Sequence, residues 1–318
     1  MKVCLISFDS TYYDPNIIIE LKRRNIEATH IDPSKFKYKY TSIFDKISNS
    51  FSKTFLKKNK KVIALEENII KQVNELGPQD VILFIRPDKI SRETHLKIKK
   101  LTKRYITYIY DSCRRFPIDH LLNGIFDKIY SFDLVDTKKY QFTFISNYIY
   151  LDKKDIELNH SNENIFIVIS IDERFDFLNK LASYLSAQKI PFKFIAVGKK
   201  MPENINKNII YSEELIFPEE LQDDFENSKI FLDLIRHDHN GLSFRIFEAL
   251  AMQKKIITTN QSIKEYDFYN PNNILVLDEN CEIHIDPNFL TTPYEPLSNE
   301  IYHKYTIKNW VDTVLEIQ

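Results

Sequence analysis

Residues 236–251 read RHDHNGLSFRIFEALA, and residues 255–260 read KIITTN. An apolar run at 230–235 comes directly before them. Together these segments predict a strand, a polar loop with one glycine, an amphipathic helix at about 242–253 and a second strand. This order is a β-α-β unit, the building block of a parallel sheet.

The start of the predicted helix has the properties of an anion site. The first N–H groups of a helix have no partners within it, and Gly241 allows a ligand to approach the backbone closely. Arg245 lies in the first turn, where the helix dipole disfavours a cation, and this favours an anionic partner. Glu248 shares a face with Arg245 and can accept hydrogen bonds from a ribose diol. The plainer interpretation is an i,i+3 surface ion pair.

The two histidines of the loop, His237 and His239, are interpreted as solvated loop residues. Their His-x-His spacing resembles part of a metal site, but no partner ligand follows at helical spacing. The sequence therefore predicts no metal here.

The same alternation of apolar runs and amphipathic stretches continues on both sides. The predicted strands cover 3–8, 28–31, 81–85, 105–110, 128–132, 142–145, 165–171, 192–197, 209–211, 230–235, 255–259 and 274–277. Further helices are predicted from Pro15 and at 64–76, 91–103, 174–188, 218–227 and 307–317, with Gly77-Pro78 as a stop signal.

A polar stretch at 152–163 lacks strong periodicity and marks a domain boundary. We predict an α/β fold of two doubly wound, Rossmann-like domains at 1–151 and 164–300, facing each other across a cleft. A C-terminal helix within 301–318 is expected to pack back on the N-terminal domain. The chain length of 318 residues agrees with two domains, because single hydrophobic cores stop growing at roughly 250–300 residues.

Composition excludes several classes. The net charge of -1 gives no overall attraction to nucleic acid or to an acidic polymer. The three cysteines are far apart, which suits a reducing compartment. The N-terminal apolar run is too short for a signal peptide, and no run of about 18 apolar residues occurs. The sequence predicts a cytoplasmic protein.

The 236–260 segment resembles the nucleotide-sugar-binding region of GT-B glycosyltransferases. It is most similar to bacterial lipopolysaccharide and capsule enzymes and to proteins like the spore-maturation protein CgeB. Many retaining members carry Glu-x7-Glu here, and Glu248 matches the second Glu, which contacts the donor ribose. Asn240 stands at the first, and this departure favours an inverting mechanism. The segments Asp172-Glu-Arg174 and Gly198-Lys199-Lys200 add looser similarity.

The resemblance implies a nucleotide-sugar donor and neither a metal nor another cofactor. Such enzymes stabilise the leaving diphosphate with helix N-termini and cationic side chains. The donor-binding residues that it implies are Arg174, Lys199, Arg236, Asn240, Gly241, Leu242, Ser243, Arg245 and Glu248.

An inverting transfer needs a general base, which in GT-B enzymes comes from the N-terminal domain. Asp111 follows the fourth predicted strand and is the first choice, because its apolar flank can raise its pKa and Arg114 and Arg115 follow it. Asp9, after the first strand, is the second choice, and Asp133 is a weaker one. Each of these carboxylates can instead be a simple helix cap.

Residues 35–61 carry nine lysines with interleaved aromatic side chains and a single Asp. Such a stretch suits an anionic membrane surface, and hence a peripheral enzyme with a lipid-linked acceptor. It can also bind single-stranded nucleic acid by stacking, but no RNA-binding motif surrounds it. A solvated loop and helix is the third interpretation.

The sequence thus predicts a glycosyltransferase that moves a sugar to a glycan or lipid-linked acceptor in surface polysaccharide synthesis. A non-catalytic nucleotide- or glycan-binding module and a UDP-sugar epimerase of GT-B shape are the alternatives. A dinucleotide-dependent oxidoreductase is disfavoured, because no Gly-x-Gly-x-x-Gly follows the first strand.

Overall fold

A computed structural model describes residues 1–8, 13–39, 59–155, 165–214, 216, 218–237 and 239–317. The chain divides into two compact units. The first comprises residues 1–145 and 307–318, and the second comprises residues 146–306. None of the described helices combines the length and the apolar character that crossing a membrane requires.

The first unit is a parallel sheet with helices. Its strands are β1 (Lys2–Ser7), β2 (Glu27–Ile31), β3 (Gln79–Ile85), β4 (Thr102–Ile109), β5 (Lys128–Ser131) and β6 (Thr143–Phe144). Its helices are α1 (Pro15–Arg23), α2 (Lys60–Leu76), α3 (Arg92–Lys99), α4 (Leu134–Tyr140) and the C-terminal α10 (Ile307–Leu315). The sheet order is β2-β1-β3-β4-β5-β6, so the connections change direction between β1 and β3.

Local sequence explains the ends of these elements. Pro15 occupies the first turn of α1, where its missing N–H costs nothing. Gly77 ends α2 with φ 72°, a left-handed conformation that glycine adopts without a Cβ clash. The Ser91 hydroxyl caps α3 by accepting from the Thr94 N–H.

Helix α10 completes the first unit from the far end of the chain. Trp310 packs edge-on against Tyr108 of β4, with ring centroids 5.1 Å apart. The Tyr130 hydroxyl donates to the Thr313 carbonyl at 3.1 Å, and Arg24 pairs with Asp312. Burial of the apolar face of α10 therefore ties residues 307–315 to the sheet of residues 2–144.

The second unit is also a parallel sheet with helices. Its strands are β7 (Ile165–Ser170), β8 (Phe192–Val197), β9 (Ile209–Ser212), β10 (Ile230–Asp233), β11 (Lys255–Thr258) and β12 (Ile274–Val276). Its helices are α5 (Phe175–Gln188), α6 (Gln222–Asn227), α7 (Phe244–Ala251), α8 (Pro287–Thr291) and α9 (Asn299–Lys304). The order β12-β11-β10-β7-β8-β9 is the Rossmann order, with its switch point between β7 and β10.

The predicted architecture of two Rossmann-like domains is confirmed, and all twelve predicted strands occur, eleven of them with shifted ends. Two predicted helices need correction. The helix predicted to reach residue 103 ends at Lys99, because residues 102–109 pair with β3 as β4. The helix predicted at 218–227 begins as a 3-10 turn over Pro218–Leu221. The division between units lies at 145/146 and 306/307, whereas the sequence analysis set it within 152–163.

Candidate functional site

The switch point of the second sheet brings two arginines onto one carboxylate. Arg174 follows β7, and its Nε and Nη2 donate to the two Asp172 carboxylate oxygens at 2.8 and 2.6 Å. Its Nη1 donates to the Leu234 carbonyl, just past the end of β10. Arg236 donates from Nε and Nη2 to the same Asp172 Oδ2 at 3.0 and 2.9 Å. Arg174 and Arg236 therefore meet where a doubly wound sheet binds its ligands.

This cluster has a net charge of +1. Burial opposes ionisation of Asp172, but the hydrogen bonds and charges of Arg174 and then Arg236 outweigh it, so the pKa of Asp172 lies below its ordinary value. The two arginine side chains are 15% and 27% exposed, so part of each guanidinium faces solvent. One carboxylate shared by two cations leaves capacity for a second anion.

The turn before α7 is fixed through its carbonyl groups. The Ser262 hydroxyl donates to the Asn240 carbonyl at 2.6 Å, and the Asn260 amide donates to the Gly241 carbonyl at 3.1 Å. The Asn147 amide donates to the Leu242 carbonyl at 2.9 Å. Three consecutive carbonyls thus accept hydrogen bonds from side chains, which fixes the path of the turn.

The N–H groups of this turn lie where the sequence predicts an anion site. Within the described residues, the backbone N–H groups of Gly241, Leu242, Ser243 and Arg245 donate no hydrogen bond. The Ser243 hydroxyl does not cap α7, and it donates to Asp233 Oδ1 at 2.6 Å. Unpaired N–H groups at a helix start, with the dipole of α7 behind them, attract an anion.

The arginine cluster and this turn lie on either side of the end of β10. Asp233 accepts from Ser243 of the turn, and the next residue, Leu234, accepts from Arg174 of the cluster. Asp233 Oδ2 also accepts from the Thr258 hydroxyl of β11 at 2.9 Å, which fixes the carboxylate between two strand ends. The two anion-attracting features therefore belong to one site.

Arg245 and Glu248 lie elsewhere, beneath α7. The Arg245 guanidinium carbon is 5.3 Å from the ring centroid of Phe225 and about as close to the rings of two other phenylalanines, Phe166 and Phe231. Its Nε lies 3.2 Å from Glu248 Oε2, and Glu248 Oε1 accepts from the Tyr150 hydroxyl at 2.7 Å. Glu248 is only 2% exposed. The structure thus pairs these two residues in the interior and does not bring Arg245 together with Arg174 and Arg236.

Gly198 and Lys199 follow β8. A Cβ at Gly198 would lie 2.8 Å from the Ile171 Cδ1 and 3.1 Å from its Cβ, so a side chain here would force Ile171 to shift. Lys199 is exposed and makes no described contact with the arginine cluster. Close packing therefore explains this glycine without a ligand.

The first unit holds the predicted base. Asp111 follows β4 and is 8% exposed, with its Oδ2 3.5 Å from Arg115 Nη1. Asp133 caps α4, since its Oδ1 accepts from the N–H groups of Val135 and Asp136. Asp9 lies outside the described residues, as does most of the basic stretch 35–61.

The histidine loop follows β10, and its His239 N–H donates to the Arg236 carbonyl at 3.0 Å. His237 Nε2 lies 3.3 Å from Glu279 Oε2, with the His237 side chain 67% exposed. Among the residues that the structure describes, no three His, Cys, Asp or Glu side chains are grouped to hold a metal ion.

Several polar groups that shape the site were not predicted from the sequence. Asp233, Asn260 and Asn147 organise the turn before α7, and Asp172 was noted only within the segment Asp172-Glu-Arg174. The available signal was an acidic or amide residue directly after each apolar strand. That signal is weak, because such residues also cap helices.

No protein-family model and no curated protein sequence matches this chain. Several solved structures are similar to it. An α,α-trehalose-phosphate synthase (UDP-forming) from Burkholderia xenovorans, in complex with glucose-6-phosphate, is similar over 99% of both chains at 10% identity and a TM-score of 0.58. The trehalose-6-phosphate synthase OtsA is similar over 99% of this chain and 98% of its own, at 10% identity and a TM-score of 0.58.

A UDP-GlcNAc 2-epimerase from Methanocaldococcus jannaschii, in complex with UDP-GlcNAc and UDP, is similar over 99% of this chain and all of its own. Its identity is 13% and its TM-score 0.52. At these identities the similarity concerns the fold alone. The similarity and the two six-stranded parallel sheets together show that this protein has the GT-B glycosyltransferase-like fold.

Proposed function

We propose that this protein is a glycosyltransferase whose second unit binds a nucleotide-sugar at the end of β10. The observation that carries the proposal is the pairing of a net-positive Asp172, Arg174 and Arg236 cluster with unpaired N–H groups at the start of α7. A diphosphate matches both features, because it presents several anionic oxygens within a few ångströms. The GT-B fold of the chain supports the same class of ligand.

Each residue has a proposed role. Arg174 and Arg236 bind the diphosphate and stabilise its charge as it leaves, together with the N–H groups of residues 241–243, so that no metal is needed. Glu248 contacts the donor ribose, as the resemblance implies, and this contact requires the Tyr150 hydroxyl to release or share Oε1. Asp111 deprotonates the acceptor hydroxyl in an inverting transfer.

The finer assignments rest on the resemblance and on the basic stretch. We propose that the acceptor is a glycan or a lipid-linked saccharide of surface polysaccharide synthesis. We also propose a cytoplasmic enzyme that contacts the anionic inner membrane surface through residues 35–61. Sedimentation with liposomes tests the latter, and equal binding to neutral and anionic vesicles would contradict it.

The main test is nucleotide binding. A thermal-shift screen against UDP, GDP, CMP and dTDP should give one stabilising nucleotide, with about 2.7 kcal/mol gained at 100 times its dissociation constant. Arg236→Gln should weaken that nucleotide about tenfold or more, since it removes a charge-assisted hydrogen bond. Lys180→Gln, an exposed cation on α5, is the matched control and should not change affinity. The absence of stabilisation by every nucleotide would refute the proposal.

A second candidate is a nucleotide-sugar epimerase, because an epimerase is among the proteins of similar structure. An epimerase converts its nucleotide-sugar without an acceptor, whereas a transferase releases nucleotide only as a glycoside forms. A non-catalytic binding module would do neither. Asp111→Asn should abolish transfer and preserve donor affinity in the transferase, and it should have no catalytic effect in a binding module.

A further inference from the structure

Arg86 adopts a backbone conformation that its sequence position disfavours. It follows β3 with φ 65° and ψ 57°, in the left-handed region, although it is neither glycine nor asparagine. It also precedes Pro87, and a residue before proline is biased toward extended conformations. Strain of this kind costs about 1–3 kcal/mol and persists where surrounding contacts enforce it, typically at functional sites.

The surrounding contacts do enforce it. The Nε and Nη2 of Arg86 donate to the two Asp88 carboxylate oxygens, both at 2.8 Å. The Lys89 N–H donates to the Arg86 carbonyl at 3.2 Å. Beneath the turn, the fully buried His95 contacts the Pro87 carbonyl through Nε2 at 2.9 Å. This turn is therefore positioned by three separate interactions.

The strained turn places the Arg86 guanidinium on an aromatic ring. Its central carbon lies 3.7 Å from the ring centroid of Phe116, which is a stacking distance. Two further cations surround the same ring: Arg115 at 4.9 Å and Lys89 at 5.9 Å. Lys89 and Arg115 are exposed, while Arg86 is 15% exposed. Three cations thus converge on one ring at the end of β3.

The position and the charge both indicate a ligand. β3 is one of the two strands at the switch point of the first sheet, the position where such sheets bind ligands. The acids that face these cations are Asp88 on Arg86 and Asp111 on Arg115, so the cluster has a net charge of +1. Because Arg86 stacks on Phe116, that face of the ring is not available to a sugar. The site is therefore suited to recognise charge.

We propose that Arg86, Lys89 and Arg115 around Phe116 form a binding site for a phosphate group of the acceptor substrate. The assignment of this phosphate to an acceptor rests on the proposed glycosyltransferase function, whereas the anion site itself does not. Planar guanidinium groups bind phosphate oxygens in pairs, and stacking on Phe116 fixes the orientation of Arg86 beforehand. The acceptor class is thus a sugar phosphate or a diphosphate-linked saccharide.

The test is calorimetric titration of the full-length protein with inorganic phosphate and, separately, inorganic pyrophosphate. Tighter binding of pyrophosphate would indicate a diphosphate-linked acceptor, and equal binding a phosphate monoester. Arg115→Gln should weaken the tighter of the two about tenfold, because it removes one charge-assisted contact. Arg23→Gln, which removes an exposed arginine of α1 in the same unit, is the matched control and should bind as the wild type does.

A second variant separates binding from folding. Arg86→Gly removes the cation but suits the left-handed backbone, so the protein should fold and lose the site. The titrations are repeated with Arg236→Gln to remove anion binding by the second unit. Binding that survives Arg115→Gln and Arg86→Gly and disappears in Arg236→Gln would overturn the inference. Loss of nucleotide binding with an intact Arg115-dependent anion site would refute only the proposed function.

Discussion

Acidification should destabilise the first unit through one buried histidine. His95 is fully buried in α3, with Nδ1 2.6 Å from the Tyr105 hydroxyl and Nε2 2.9 Å from the Pro87 carbonyl. A carbonyl only accepts, so Nε2 carries a proton, and in the neutral ring Nδ1 accepts from the Tyr105 hydroxyl. Burial lowers the pKa of His95 from 6.5 to about 4, and the hydrogen bond to Pro87 offsets only part of this.

The magnitude follows from linkage. Between pH 6.5 and 4 the unfolded chain binds a proton at His95 that the folded chain excludes, so the free energy of unfolding falls as the pH decreases through this window. Above pH 6.5 His95 is neutral in both the folded and the unfolded chain, so the free energy of unfolding no longer depends on pH through this residue. Lowering the pH from about 7.5 to about 5 should remove about 2 kcal/mol from the free energy of unfolding, at 1.36 kcal/mol per unit of pKa shift.

The assay is urea unfolding followed by the fluorescence of Trp310, the single tryptophan of the chain. Trp310 packs on Tyr108 of the sheet that α3 covers, so its signal reports unfolding of the first unit. His95→Gln is the test variant, because its amide can still donate to Pro87 but does not titrate. Its loss of stability between the two pH values should be about 2 kcal/mol smaller than that of the wild type.

The exposed His120, in the same unit, provides the control. His120→Gln should depend on pH nearly as the wild type does, because the charge of His120 lowers the pKa of His95 less than burial does and carboxylate titration is common to all three proteins. If His95→Gln loses as much stability as the wild type, His95 is not a buried neutral histidine and the reasoning is refuted.

Three other changes test packing. Gly198→Ala should lower the free energy of unfolding of the second unit by about 1–3 kcal/mol through overlap with Ile171, and a double variant with Ile171→Ala should recover part of this loss. An unchanged midpoint of thermal unfolding in Gly198→Ala would contradict the contact. Trp310→Ala should cost the first unit about 3–5 kcal/mol, measured by far-UV circular dichroism in urea, and a loss below 1 kcal/mol would mean that α10 packs loosely. Arg245→Met should lower the free energy of unfolding by about 3–5 kcal/mol because it leaves Glu248 buried without its cation, and adding Glu248→Gln should recover most of this loss. Additive effects of the two changes in the same urea assay would show that the two residues are not coupled.

The strands were predictable because each is a short apolar run, and burial on both faces of a parallel sheet requires such runs. The run 192–197 is a strand with the predicted ends. Helices α4, α8 and α9 were not predicted, since helices of 5–7 residues have too few turns to show periodicity. The strand β4 starts earlier than predicted because pairing with β3 extends it over polar residues.

The candidate site was predictable in part. Gly241 and the start of α7 follow from local sequence, because the N–H groups of a first helical turn are unpaired in any helix. The positions of Arg174 and Arg236 also follow, since each comes directly after a strand that borders the switch point. Arg86 was not identified, although an arginine before a proline at a strand end was a visible signal.

The sequence alone determined the twelve strands and the longer helices, that they form two α/β domains, and that the helix at 244–251 begins with an unpaired turn. Tertiary structure decided the order of the strands, the partners of that turn and the direction of Arg245. Asn147 reaches the Leu242 carbonyl across 95 positions, and no local periodicity records such a contact. A long side chain in a first helical turn can extend toward the sheet edge or the interior, and the packing of Arg245 among three phenylalanines selects the interior.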